Sequence, residues 1–230
     1  MKKLPILLAG MTLIGSAQAT VYQFDFTAKI QEMVEFSPQT FNGGPVASSN
    51  LSGSTVSVGD SLTGHFSYDT ATGVFSQFGG GTMYAAPAAQ NSLDVSIGGA
   101  SIGLSGATYS STNVQVANNA AALGGADSFG IANVSANAYA SQMMAVSFFD
   151  RSGLALSAST MPGRLDFANF GQSSFYYTYS SSATHAMMGA NGALTSVTVT
   201  QVPTTPVPEP ETYAMLLAGL AALSWKARRR

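Results

Sequence analysis

Between Tyr22 and Ile30 apolar and polar residues alternate. Tyr22, Phe24, Phe26, Ala28 and Ile30 fall on one side, and Gln23, Asp25, Thr27 and Lys29 on the other. A period of two sends successive side chains to opposite faces of a sheet, so this stretch predicts a half-buried strand. Leu62 to Asp69 repeats the pattern, with Leu62, Phe66 and Tyr68 inward and Thr63, His65, Ser67 and Asp69 outward. Leu93, Val95 and Ile97 alternate with Asp94 and Ser96, and Val197 and Val199 with Thr198 and Thr200. Further strands are expected over Ser101–Leu104, Asn113–Val116, Ser128–Val134, Met143–Phe149, Leu154–Ala158, Leu165–Phe167 and Ser174–Tyr179. Clusters of Gly, Asn, Ser and Asp part them, which is turn chemistry. Ser37–Ser54 lacks a period and reads as a long loop, and Asn118–Ala126 reads as a flexible connection. Short strands with Gly-rich turns predict an all-β fold, an antiparallel β-sandwich or jelly roll.

Both ends of the chain break this pattern. Met1-Lys2-Lys3 is followed by an apolar run from Leu4 to Ile14 and then by Ser16-Ala17-Gln18-Ala19. A basic start, a short apolar run and an A-x-A site in that order predict a signal peptide over residues 1–19, cleaved after Ala19, with Ala17 and Ala19 read by the peptidase. The run is too short for a comfortable bilayer span. The body is then 20–203, and a tail follows over 204–230. The body holds three bases (Lys29, Arg151, Arg164) against nine acids, a formal charge of 3 − 9 = −6. It has no basic patch, which excludes nucleic acid as a partner. The chain has no cysteine, so the fold rests on burial and backbone pairing, and thiolate metal sites and thiol nucleophiles are excluded.

After Val202 the composition changes. Pro203-Thr204-Thr205-Pro206 reads as an extended linker, followed by Val207-Pro208-Glu209-Pro210. An apolar helix is expected from Tyr213 to Trp225, carrying Leu216, Leu217, Gly219, Leu220 and Leu223, before Arg228-Arg229-Arg230 closes the chain. Pro210 suits a helix start, Glu211 the positive end of its dipole, and the arginines the negative end. Those arginines also hold the C-terminus in the cytoplasm, which agrees with a body exported by the N-terminal signal. The helix covers roughly 20 Å of a hydrocarbon core of roughly 30 Å, a marginal transmembrane anchor suited to temporary retention.

Motif, helix and basic end in this order resemble the PEP-CTERM sorting family. The same tail also goes by the name ice-binding protein C-terminal domain, which carries no implication of ice binding here. The resemblance covers only about the last two dozen residues. It implies recognition at Val207, Pro208, Glu209 and Pro210 by an exosortase, a membrane protease of Gram-negative bacteria that make extracellular polysaccharide. It also implies transient residence in the inner membrane, tail removal, and delivery to the cell surface or matrix.

Within the body, Gly59-Asp60-Ser61-Leu62 spells the nucleophile block of GDSL esterases. Such an enzyme needs a histidine base oriented by an acid, commonly D-x-x-H near the C-terminus. Here the late histidine is His185, with Ser182 three residues before it, and the local pattern is strand–turn–strand. A secreted hydrolase is therefore the weaker reading, and no catalytic residue is assigned. His65 and His185 are isolated and the acids scattered, so no metal or cofactor is expected. Tyr176, Tyr177 and Tyr179 cluster in one expected strand. They read either as sheet packing or as a surface that stacks on sugar rings. The chain thus reads as a non-enzymatic surface or matrix protein associated with exopolysaccharide in a biofilm, with a carbohydrate-binding module as the alternative.

Overall fold

A computed structural model describes residues 21–38, 42–86, 91–162 and 165–202. The expected signal peptide with Ala17 and Ala19, the sorting motif, the membrane helix and the terminal arginines lie outside these residues. The body, Thr20–Thr204, forms one compact unit. Its described strands are β1 (Val21–Ser37), β2 (Asn42–Pro45), β3 (Ser48–Ser49), β4 (Val56–Ser57), β5 (Ser61–Asp69), β6 (Val74–Phe78), β7 (Gly81–Ala86), β8 (Ser92–Ile97), β9 (Ala100–Ile102), β10 (Tyr109–Ala120), β11 (Ala126–Ala136), β12 (Ala140–Asp150), β13 (Gln172–Ser181) and β14 (Met187–Val202). The protein is all-β and its ladders are antiparallel.

Where two separate sheets are expected, one sheet runs β6-β7-β10-β11-β12-β13-β14-β1-β5-β8-β9. β2 pairs with β1, and β3 and β4 form a separate two-stranded ribbon. From β10 to β14 the sheet is a meander. Its last strand returns to the first, pairing from Val21↔Val202 to Phe36↔Met187. The sheet curls so that its inner face meets itself. Tyr68 on β5 and Phe129 on β11 are five strands apart along the ladder, yet their ring centroids are 5.3 Å apart. Phe66 reaches Phe148 on β12 at 6.4 Å, and Phe26 reaches Phe175 on β13 at 6.4 Å.

The alternation read from the sequence selects this core. Phe24, Phe26, Ala28 and Ile30, then Leu62, Phe66 and Tyr68, then Leu93, Val95 and Ile97 are all buried. Each fully buried Phe or Leu contributes about 1.5–3 kcal/mol, so aromatic burial carries this cysteine-free body. Gly64 interrupts the inward series of β5 for a steric reason. A Cβ there would lie 2.6 Å from both the Phe26 ring and the Asp94 carbonyl.

Several expectations change. Leu154–Ala158 and Leu165–Phe167 are not strands, but parts of the long β12–β13 connection, which dips back into the core. Two buried carboxylates hold it. Asp150 accepts from Ser152 N, Ser152 Oγ, Leu154 N and Ala155 N, and Asp127 accepts from Asn119 N and Leu156 N. Backbone N–H groups gathered by side chains are unavailable to a ladder. The Tyr68 and Tyr84 hydroxyls donate to the carbonyls of Pro162 and Ser159, both at 3.1 Å. Phe167 opens a 3-10 turn (Phe167–Asn169) and packs on Phe148 at 4.2 Å and Phe24 at 5.2 Å. The supposed loop at 37–54 contains β2 and β3. Of the stretch 118–126, part extends β10, part is a 3-10 turn (Ala121–Leu123), and the end begins β11. The hairpin β6–β7 is absent from the sequence expectation. Asp69, read as outward, is buried at the end of β5, where its carboxylate accepts from Ala71 N.

Candidate functional site

The GDSL block is a turn that seats β5 on β1. Gly59 has φ +95°, a conformation that favours glycine, and its N–H donates to the Ile30 carbonyl at 2.8 Å. The Asp60 carboxylate accepts from Ser57 N at 2.8 Å, and the Asp60 carbonyl accepts from Ile30 N at 2.9 Å. Ser61 opens β5 on the face that also carries His65. Four residues of strand separate them by roughly 13 Å, beyond the reach of a nucleophile–base hydrogen bond. His185 lies in the β13–β14 turn with φ +55°.

The tyrosine cluster is divided by its own strand. Tyr177 is 0% exposed and belongs to the core, and Tyr179 packs against it. Tyr176 faces outward at 37% exposure. The three rings, read as either sheet packing or a stacking surface, lie on both faces of β13, because successive residues of a strand point in opposite directions. Burial raises the Tyr177 phenol pKa. The Ser52 hydroxyl acts in the opposite sense. Tyr176 joins Val34, Phe36 and Met187, all exposed, around a shallow apolar hollow of about 280 Å³.

A larger polar groove of about 550 Å³ lies on the outer face of β14, β1, β5, β8 and β9. Strand register arranges it in two rows. Thr198, Asp25, His65 and Asp94 stand side by side across four strands. The next row is Ser196, Thr27, Thr63, Ser96 and Ser101 across five. Neighbours within a row are about 4.8 Å apart and the rows roughly 7 Å apart. His65 Nε2 lies 3.3 Å from Asp94 Oδ2, with the two side chains 45% and 67% exposed. At a bulge between β1 and β14, the Thr27 hydroxyl meets those of Thr195 at 2.6 Å and Ser196 at 2.7 Å. Bulges re-aim side chains, and this one brings two hydroxyl-bearing residues of β14 onto one threonine of β1. In the sequence these residues are only the polar positions of separate strands. The signal it lacked was register, which no single strand carries.

The tail reading rests on comparison with known proteins. Residues 206–230 match the family model of the PEP-CTERM protein-sorting motif. No curated protein and no solved structure matches the chain. The match takes in Val207-Pro208-Glu209-Pro210, the apolar stretch and the closing arginines. Such a motif implies export, transient membrane anchoring and processing by an exosortase. The chain thus carries a PEP-CTERM protein-sorting motif over its last residues, 206–230, behind an antiparallel all-β body.

Proposed function

We propose that the β body is a non-enzymatic component of the cell surface or extracellular matrix of a Gram-negative bacterium, delivered there by exosortase processing of its tail. The sorting motif at 206–230 carries this reading. The body's part would be to persist outside the cell, for which a cysteine-free aromatic core closed by backbone ladders is suited. The test is mass spectrometry of the exported protein, combined with fractionation of cells and matrix in strains with and without active exosortase. A trimmed C-terminus and matrix enrichment that depend on exosortase are expected. An intact C-terminus with active exosortase overturns the proposal.

A second reading, that the body binds carbohydrate, is supported by the double row of hydroxyls, carboxylates and one imidazole on the outer face of β1, β5 and β8. These groups both donate to and accept from sugar hydroxyls. Glycan arrays test it, saturable retention being the expected outcome.

A further inference from the structure

We propose that the groove on β14, β1, β5, β8 and β9 is a saccharide site selective for amine-bearing chains, those with free amino groups on the sugar ring. This rests on the carbohydrate reading and gives it a place and a ligand class. Three independent features of the groove support it.

The first is the donor set. Six of the nine side chains in the two rows are hydroxyls: Thr27, Thr63, Ser96, Ser101, Ser196 and Thr198. A hydroxyl offers a donor and acceptor positions together, which matches the same dual character of a sugar hydroxyl. The second is charge. Asp25 and Asp94 line the groove and no Lys or Arg does. His65, the one other titratable side chain lining the groove, lies 3.3 Å from Asp94 and opposite Asp25 in the register. A uronic or sulfated chain would meet uncompensated carboxylates here. An ammonium finds charge-assisted acceptors, and a neutral sugar finds only ordinary hydrogen bonds. The third is shape. The two rows line a groove of about 550 Å³ on the outer sheet, and the bulge at its β14 side gathers Thr195, Ser196 and Thr27. A bare metal ion is a poor alternative, because among the described residues no three His, Asp or Glu side chains converge.

The test uses the full chain and three oligosaccharide probes of equal length: chitosan oligomers, their fully N-acetylated counterparts, and oligogalacturonate. Calorimetry at low salt compares the parent with Asp25→Asn, Asp94→Asn and the double variant. Both aspartates are exposed at the surface, so thermal unfolding should be unchanged, and melting curves check it. Tighter binding of the amine-bearing oligomer by about tenfold is expected, together with loss of about tenfold for each neutralised carboxylate. Gln172→Ala and Ser173→Ala, on another outer hollow, should leave binding unchanged. Chitosan binding that survives the double variant overturns the groove but leaves carbohydrate binding standing. Preference for oligogalacturonate overturns the ligand class. Absence of binding to any probe overturns this inference and the carbohydrate reading together.

Discussion

Asp127 and Asp150 stand directly opposite each other on β11 and β12, and both are buried. Each carboxylate is held by the donors it has collected. The Ser152 hydroxyl, then the N–H groups of Leu154, Ser152 and Ala155, lower the Asp150 pKa from 3.8 to about 2. A carboxyl depressed by folding stabilises the fold above its unfolded pKa and loses that contribution as pH falls through the folded value. Melting temperature should therefore decline between about pH 4 and pH 2, and Asp150→Asn should flatten that decline. Asp127→Ala leaves two part-buried N–H groups without their acceptor and should cost about 1–2 kcal/mol, read from urea midpoints. At the alkaline end, burial with Tyr22 alongside raises the Tyr68 phenol, so stability should fall above pH 10, where the unfolded phenol ionises. None of this was visible in the sequence. A lone Asp in a row of strands looks like any exposed acid until the fold brings distant N–H groups to it.

Strands were readable where one face is apolar and the other polar. β1, β5 and β8 were found with their inward residues correct, except for Asp69. The expectation failed where apolar residues follow another logic. Leu154–Ala158 and Leu165–Phe167 look like strand because Leu165 and Phe167 are core residues, yet they enter the core from a loop pinned by side chains. The β6–β7 hairpin was missed because its Gly79-Gly80-Gly81 run reads as linker. Two substitutions probe this level. Phe167→Ala removes a ring that packs on Phe24, Phe66, Phe148 and Phe170, and should cost about 3 kcal/mol. Gly64→Ala forces Phe26 or the β8 backbone to move and should cost about 1–3 kcal/mol, whereas Gly44→Ala, with no atom within 4 Å, should cost less. The groove belongs to this scale too. Its nine side chains come from five strands, and only pairing sets them in rows.

For the molecule as a whole, the sequence disclosed most at the C-terminus, where a linear motif carries the information without any folding. The all-β class was equally plain, but the single curled sheet was not, since nothing local reports that the two end strands are partners. That partnership has a further consequence. Ladder neighbours of β1 on one flank are β2 and β5, made early in the chain, while its other flank waits for β14, which is made last. Until β14 is made, a chain threaded outward from its N-terminus thus has its sheet in two separate ribbons, β6-β7-β10-β11-β12-β13 and β1-β5-β8-β9. A chain stopped after Ala186 should yield no protease-resistant body, whereas one stopped after Pro203 should, by limited proteolysis. The sorting segment, residues 206–230, begins within a few residues of the end of β14. A brief hold at the membrane would give the first and last strands time to zip before the protein departs, so that quality control and address label act at the same moment.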